Sequence, residues 1–492
     1  GARLRSLGLA NQPAPGAADI AFGKAGSAAV SPDGVALADY SLTGSGAKGK
    51  NRALFALNPV TGTDLVLQSG TPLSALGGGL PGNATATALL GAIFNQPQRA
   101  LFQATAKGTG ITAANNRLLL LDNGASVQLL HRSGTPIPAL GNAAIASFKE
   151  VLQSHDQNFL ALTYKLKTGG GVTPANDEGL LFLDHSGSPG SNTIATREGS
   201  PAFGGGTFGP FNGRAATAFG STIYFTAALN IAGSTAPAVF STTLNGVTTA
   251  RLATTGDLAP ASGGATYRTF PALTNAGVNA LVKATLKNSP ASENEGLYVL
   301  PTNLLLTRKG DDIGGGTFIT RILRFWTAGP GQLILQVQLG KSQALLLRQN
   351  DGNYLTLLRT GASAPGVGSA KLKAISAVDV NPISGRYAVL GTLSGSPASS
   401  NQALWTGDPT LGDNTPPALQ DLRLPQLTLR KGNAYTTDAT PQSVIRSIAL
   451  KPAVDPTGAG GRGLSHALGE GDDLALFITG DRNLVEAVLL DR

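Results

Sequence analysis

The chain has 492 residues, no cysteine and no methionine; 13% of residues are charged, and the net charge is +8. Absent cysteine excludes disulfides, thiolate metal sites and cysteine nucleophiles, and 41% hydrophobic residues suffice for a sizeable core rather than a disordered chain. The mild positive charge contains no basic run and aromatics are only 5%, so a nucleic-acid surface of stacking rings and basic stripes is not expected.

In chain order, the first element is a strand-like segment, Ala2–Leu7, closed by Arg5-Ser-Leu-Gly8 and a Pro- and Gly-rich turn. That phrase returns along the whole chain: an apolar run, often an arginine, then x-Gly, then a turn. Close copies begin at Arg132, Arg197, Arg308, Arg359 and Arg430; looser ones begin at Gln68 and Thr254. The anchoring glycines are Gly8, Gly70, Gly134, Gly199, Gly256, Gly310, Gly361 and Gly432, spaced 51 to 71 residues apart. A period near sixty signals a repeat architecture rather than separate domains.

Each unit holds four strand-like segments, clearest in the third: Ala146–Leu152, Asn158–Lys165, Gly179–Asp184 and Asn192–Arg197. The fourth repeats this with Thr222–Leu229, Ala238–Thr242 and Val247–Ala253. All are short, apolar or alternating, and bounded by Gly, Ser, Asn or Pro. Four antiparallel strands per repeat make a propeller blade. The expected fold is therefore all-β: one eight-bladed β-propeller over 1–492, with blades near 17–70, 71–134, 135–199, 200–256, 257–310, 311–361, 362–432 and 433–492 plus 1–8. The last unit shows strands near Val444–Leu450, Asp473–Ile478 and Leu484–Leu490 and lacks a fourth. The N-terminal strand completes it and clasps the ring, which removes the free edges.

A second phrase precedes the third strand: Asn51-Arg-Ala-Leu-Phe55, Asn294-Glu-Gly-Leu-Tyr298, Asn401-Gln-Ala-Leu-Trp405 and the looser Asn116–Leu120. The asparagine is expected to close an Asx turn and the following aromatic to pack into the blade. Trp326 and Trp405 are then packing residues.

Candidate chemistry is sparse. Gly44–Lys50 has phosphate-loop spacing, but a strand follows where a helix is required, so it reads as a hairpin loop. His131, His155, His185 and His466 show no metal-ligand spacing. Ser465-His466 lacks the final glycine of a hydrolase elbow. Asp311-Asp312 and Glu470–Asp473 lack an EF-hand ladder. No cofactor or metal is expected. One feature remains: Arg132, Arg197, Arg308, Arg359 and Arg430 occupy one slot of five blades. They either form stabilising contacts at blade junctions or make a cationic, partner-binding arc on one face.

The phrases at 197–208 (REGSPAFGGGTF) and 310–318 (GDDIGGGTF) resemble the bacterial choice-of-anchor tandem-repeat proteins with an NxxGxxAF motif. Thr274–Leu281 is similar to that motif, with Thr274 in place of its Asn and Leu281 in place of its Phe; Ser31–Leu37 is a shortened copy. The family's C-terminal anchor is not visible up to Arg492, which falls inside blade pattern. The resemblance implies a secreted or surface propeller and no established activity.

These readings converge on a non-catalytic extracytoplasmic module, its signal peptide removed, that docks a protein or glycan partner or another copy of itself. Few charges leave a neutral hydrogen-bonding surface that suits such a setting. Missing methionine reads either as selection against oxidisable sulfur or as compositional drift. No apolar run reaches the roughly 18 residues of a membrane span. Recognition is assigned to the loops between second and third strands, at 43–50, 108–115, 167–178, 230–236, 288–294 and 395–401, with the insertion 452–471 as a further contact. The rival class is an enzyme with its site in the central funnel, such as a polysaccharide lyase or lactonase. The first strands, 146–152, 269–273, 319–326 and 371–378, carry mostly apolar residues or isolated Lys and Arg, which weighs against it.

Overall fold

A computed structural model describes residues 3–16, 19–31, 34–58, 62–96, 99–153, 159–184, 192–211, 216–219, 221–243, 249–329, 331–409, 421–451, 466–469, 473–481 and 484–491. It is an eight-bladed β-propeller of four-stranded antiparallel blades. Blade one runs Ala21–Val30, Ala36–Thr43, Arg52–Asn58 and Gly62–Gln68. Blade three runs Ala143–Gln153, Phe159–Leu166, Glu178–Asp184 and Asn192–Arg197, within a few residues of the expected strands. Blade eight is built from Ser447–Ala449, Leu474–Thr479 and Val485–Asp491, and its outermost strand is Arg3–Leu9 from the other end of the chain. The pairing runs antiparallel from Arg3 opposite Asp491 to Leu9 opposite Glu486.

The clasp imitates an ordinary fourth strand in detail. Third and fourth strands pair through a bulge in every blade, at Leu54/Phe55, Leu119/Leu120, Leu180/Leu181, Val239/Phe240, Leu297/Tyr298, Leu345/Leu346 and Leu404/Trp405. Arg3–Leu9 carries its own at Ser6/Gly8. Bulges increase local twist, so the same kink in all eight blades gives each sheet the same propeller twist.

The core lies between blades, because each sheet presents an apolar face to both neighbours. The buried side chains form eight clusters, one per junction. Closure is visible in the cluster that joins Phe477 and Leu489 of blade eight to Phe22, Tyr40 and Phe55 of blade one. Those three rings meet with centroids 4.6 to 6.0 Å apart. Leu7 of the clasp is buried in the same cluster. Trp405 is fully buried and its indole N–H donates to the Pro365 carbonyl (2.9 Å), while Trp326 packs in the same junction. Both tryptophans are packing residues, as expected.

Each junction is also stitched by main chain. The N–H groups of Gly70, Gly134, Gly199, Gly256, Gly310, Gly361 and Gly432 donate at 2.7 to 2.9 Å to the carbonyls of Ala86, Ile145, Phe208, Tyr267, Ile319, Leu372 and Ile445, at the head of the next blade. All seven glycines have positive φ, between 78° and 98°, which explains the residue type. The eighth equivalent is not Gly8. Asn11, with φ of 71°, donates to Phe22 instead. Gly8 is needed for another reason: a Cβ there would lie 3.0 Å from the Tyr40 hydroxyl and 3.1 Å from the Phe22 ring.

Two local expectations are corrected. The asparagines of the second phrase close their hairpins through the main chain: the carbonyls of Asn51, Asn116, Asn294 and Asn401 accept from Leu42, Ala106, Leu286 and Leu393. Side-chain closure falls one residue earlier, where Asn115 Oδ1 accepts from the Thr112 N–H at 2.7 Å and Asn176 does the same for Thr173 at 2.8 Å. The segment 230–236 is not a long loop. Asn230 and Ile231 pair with Thr235 and Ser234 around Ala232-Gly233, both at positive φ, a tight hairpin turn of the kind two such residues permit.

Candidate functional site

In a four-stranded antiparallel blade, the loops between second and third strands share a face with the blade-to-blade turns. The five slot arginines stand on that face, at the ends of fourth strands. Each is engaged by its own blade. Arg132 Nε donates to the Asn115 carbonyl and Nη1 to the Gly79 carbonyl, both at 2.8 Å. Arg197 Nε donates to the Asn176 carbonyl at 2.6 Å. Arg308 pairs with Glu293 at 3.0 Å. Arg359 donates to Ser342 Oγ at 3.3 Å. Arg430 donates at 3.2 Å to the Ser400 carbonyl and to Ser396 Oγ. In blade one Gln68 fills the slot, and its amide donates to the Lys50 carbonyl at 3.1 Å. In these six blades the slot holds a side chain that ties the second-to-third loop, or in blade six the start of the third strand at Ser342, to the end of the fourth strand; the Thr254 hydroxyl of blade four is buried without a partner among the described residues. Arg132 is almost wholly buried in doing so. Carbonyl clamping consumes guanidinium donors at fixed positions, which rigidifies the loops.

Arg430 differs in its surroundings. It lines a cavity of about 630 Å³ between blades seven and eight, together with Ser399, Ser400, Lys431, Asn433 and Arg446. The cavity opens where the first strand of blade eight shortens to Ser447–Ala449 and the preceding turn forms its own hairpin, Ala434–Tyr435 with Ser443–Val444. No carboxylate is among its lining residues. The Lys431 ammonium has no partner among the described residues. Arg446 holds Asp481 through Nε (3.2 Å) and Nη2 (3.0 Å) and is 60% exposed. The Val444 N–H, and then Arg446, hold the Asp481 carboxyl below its usual range. Three cations and three short polar side chains around one opening suit an anionic group recognised by charge-assisted hydrogen bonds.

The other candidates are placed as follows. The Gly44–Lys50 loop is a hairpin connection with a short 3-10 turn at Ser45–Ala47, leading into the strand Arg52–Asn58. Asp311 accepts from the Arg308 N–H (2.7 Å) and the Tyr354 hydroxyl (3.0 Å), and Asp312 caps the Gly314 N–H at 2.9 Å. Both carboxylates are turn-forming. His131 is buried edge-on to Phe148, and burial pushes it down to about 4. His155, His185, Ser465 and most of the insertion lie outside the described residues. His466 is described and buried, with Nδ1 2.9 Å from Asp379 Oδ1; the Leu468 N–H donates to the second Asp379 oxygen at 3.0 Å. Sequence reasoning missed this pair, whose partners stand 87 residues apart with no local motif. Among the described residues no three His, Cys, Asp or Glu side chains group to hold a metal, and no helix is long and apolar enough to cross a membrane.

Residues 74–412 match the profile of a family of unknown function, DUF7453. The chain belongs to that family. The matched residues span most of the ring, and the family's function is unknown. No curated protein matches the chain. Among solved structures it is similar to prolyl oligopeptidase B from Galerina marginata, at 10% identity and a TM-score of 0.43, over 86% of this chain and 54% of that one. This chain thus spans about half the length of that peptidase. An oligogalacturonate lyase in complex with manganese matches at 11% identity and a TM-score of 0.39, over 83% and 92%. The propeller domain of the Trilobed protease from Pyrococcus furiosus matches at 10% and 0.39, over 78% and 93%. These likenesses concern the fold alone.

Proposed function

We propose that this DUF7453 chain is a non-catalytic binding module that works outside the cytoplasm. It docks an anionic protein or glycan partner through the face that carries the second-to-third loops. The observation that carries this reading is the cavity lined by Arg430, Lys431 and Arg446 on that face, beside loops held rigid by the slot arginines. A stiff scaffold with a charged opening lowers the ordering cost of binding. The REGSPAFGGGTF and GDDIGGGTF phrases, similar to choice-of-anchor repeats, support a secreted setting, as do the low charge and absent cysteine.

Two experiments test it. Native envelope extract is passed over the immobilised protein and over a variant with loop 395–401, which carries Ser399 and Ser400 of the cavity, shortened. Docking predicts partners held by the first and lost by the second. Equal recovery on both, or turnover of a glycan or lactone abolished by a substitution in the channel, overturns it. For location, the gene upstream of Gly1 is expected to encode an apolar signal segment; a cytoplasmic reading frame without one contradicts it.

A further inference from the structure

The central channel is separate from the cavity between blades seven and eight. Its wall is made by the first strands. Those of blades five, six and seven, Thr266–Ala276, Arg321–Thr327 and Lys371–Val380, contain Arg268, Arg321, Arg324, Lys371 and Lys373. Their only carboxylate, Asp379, is buried against His466. Burial pulls Lys283 below its usual range, Glu295 opposes that, and Arg321 adds to the lowering.

Two bulges face each other across blades six and seven. The register shifts between Ile322 and Arg324 on one first strand, and between Ile375 and Ala377 on the other. First strands of blades one, two, three and five shift register as well, so the bulges here aim side chains and do not by themselves mark a site. Here a cavity of about 260 Å³ lies between them, lined by Arg324, Gln336 and Ser376, with Leu323, Ile375 and Val378 as its apolar part. Arg324 is half-buried, and its side chain makes no hydrogen bond or ion pair among the described residues. This is where it differs from the slot arginines, each of which is clamped to its own blade. A half-buried guanidinium loses hydration without gaining an acceptor, which is costly unless a ligand supplies one. Gln336 stands opposite Arg324 in the strand register and spends its amide on Gln343 at 3.3 Å, so one N–H remains to donate. The Ser376 hydroxyl is exposed. At about 30 Å³ per water, the space takes a group of sugar-acid size.

We infer that the cavity between the first strands of blades six and seven binds a small organic oxyanion, a carboxylate or phosphate ester on a small polar body, with the Arg324 guanidinium on the anion and Gln336 and Ser376 on its neutral part. A planar guanidinium takes two oxygens of either group bidentately.

Titration calorimetry on the full chain tests this with glucuronate as the carboxylate probe, glucose 6-phosphate as the phosphate probe and glucose as the neutral control. Saturable binding of either anionic probe, with none of glucose, supports the site and says which anion it takes. Arg324→Gln is expected to weaken that binding about tenfold or more, and Arg324→Lys less. Ser376→Ala is expected to weaken it a few-fold and serves where the Arg324 variants fail to fold. Lys431→Gln with Arg446→Gln leaves it unchanged, which keeps this site's fate separate from that of the docking face. No saturable binding of either anion, equal binding of glucose, or full binding by a folded Arg324→Gln variant overturns the inference.

Discussion

The Asn11 N–H donates to the Phe22 carbonyl at 2.7 Å, and the Phe22 N–H returns to the Gln12 carbonyl at 2.9 Å. This reciprocal pair is the stitch made elsewhere by Gly361 and Ala362 with Leu372, or by Gly432 and Asn433 with Ile445. Asparagine is among the few side-chain-bearing residues that enter left-handed backbone readily. Asn11→Gly is therefore expected to keep or slightly raise the melting temperature. Asn11→Val is expected to cost about 1–3 kcal/mol, read by chemical denaturation. Equal stability of the valine variant would show that the junction between blades eight and one does not depend on this turn.

Closure of the ring rests on the clasp. Leu7 is 2% exposed, the Ser6 N–H donates to Asp438 Oδ1 at 2.6 Å, and the Tyr40 hydroxyl donates to the Gly8 carbonyl at 3.3 Å. Behind the clasp, the buried Glu486 accepts from the hydroxyls of Thr437 (2.7 Å), Thr440 (3.0 Å) and Tyr435 (3.4 Å). Leu7→Ala is expected to cost about 2–4 kcal/mol. Removing residues 1–8 is expected to lower the melting temperature sharply and promote aggregation, because the edge of Val485–Asp491 becomes available for pairing. Faster amide exchange confined to 485–491 in the Leu7→Ala protein would locate the effect. Unchanged stability on deletion would contradict a clasped ring.

Burial depresses His131 to about 4, against about 6.5 in an unfolded chain. Its contribution to stability is fully present above pH 6.5 and is lost as pH falls towards 4, because the unfolded chain takes up the proton first. The size is up to about 3 kcal/mol. Unfolding free energies of wild type and His131→Leu, compared from pH 7.5 to 4, should diverge across that window, with the variant the flatter. Parallel curves would show that His131 is hydrated in the folded state.

The ring was legible because its turns need positive φ, and glycine marks seven of eight such positions in the sequence. The eighth was misplaced to Gly8: asparagine carries no comparable mark, and Arg5-Ser-Leu-Gly8 mimics the phrase. Strand positions followed from short apolar runs, and the clasp from a missing strand at one end and a spare one at the other. The arginine slot was visible, but its role was not, since carbonyl acceptors such as those of Asn115 and Asn176 leave no side-chain signature. The 230–236 segment read as a loop because Ser234, Thr235 and Ala236 are polar or small, although they pair across the sheet. The Asp379–His466 contact and the two cavities arise only when distant blades meet, so no local spacing announces them.

The slot arginines and the cavity cations are expected to separate cleanly under mutation. Arg132→Met removes two carbonyl clamps and should lower stability by about 1–3 kcal/mol, while partner binding persists at temperatures where the protein stays folded. A melting temperature equal to that of wild type would show that the clamp carries no load.

The most direct measurement is the dissociation constant of the captured partner for wild type and for the Lys431→Glu, Arg446→Glu double variant, taken at two salt concentrations with melting temperatures alongside. Docking of an anion at the cavity between blades seven and eight predicts an affinity at least about 100-fold weaker in the variant, a salt dependence that largely disappears with it, and a melting temperature lowered only slightly, by loss of the exposed Arg446–Asp481 pair. Equal affinities for the two folded proteins would contradict recognition by this face.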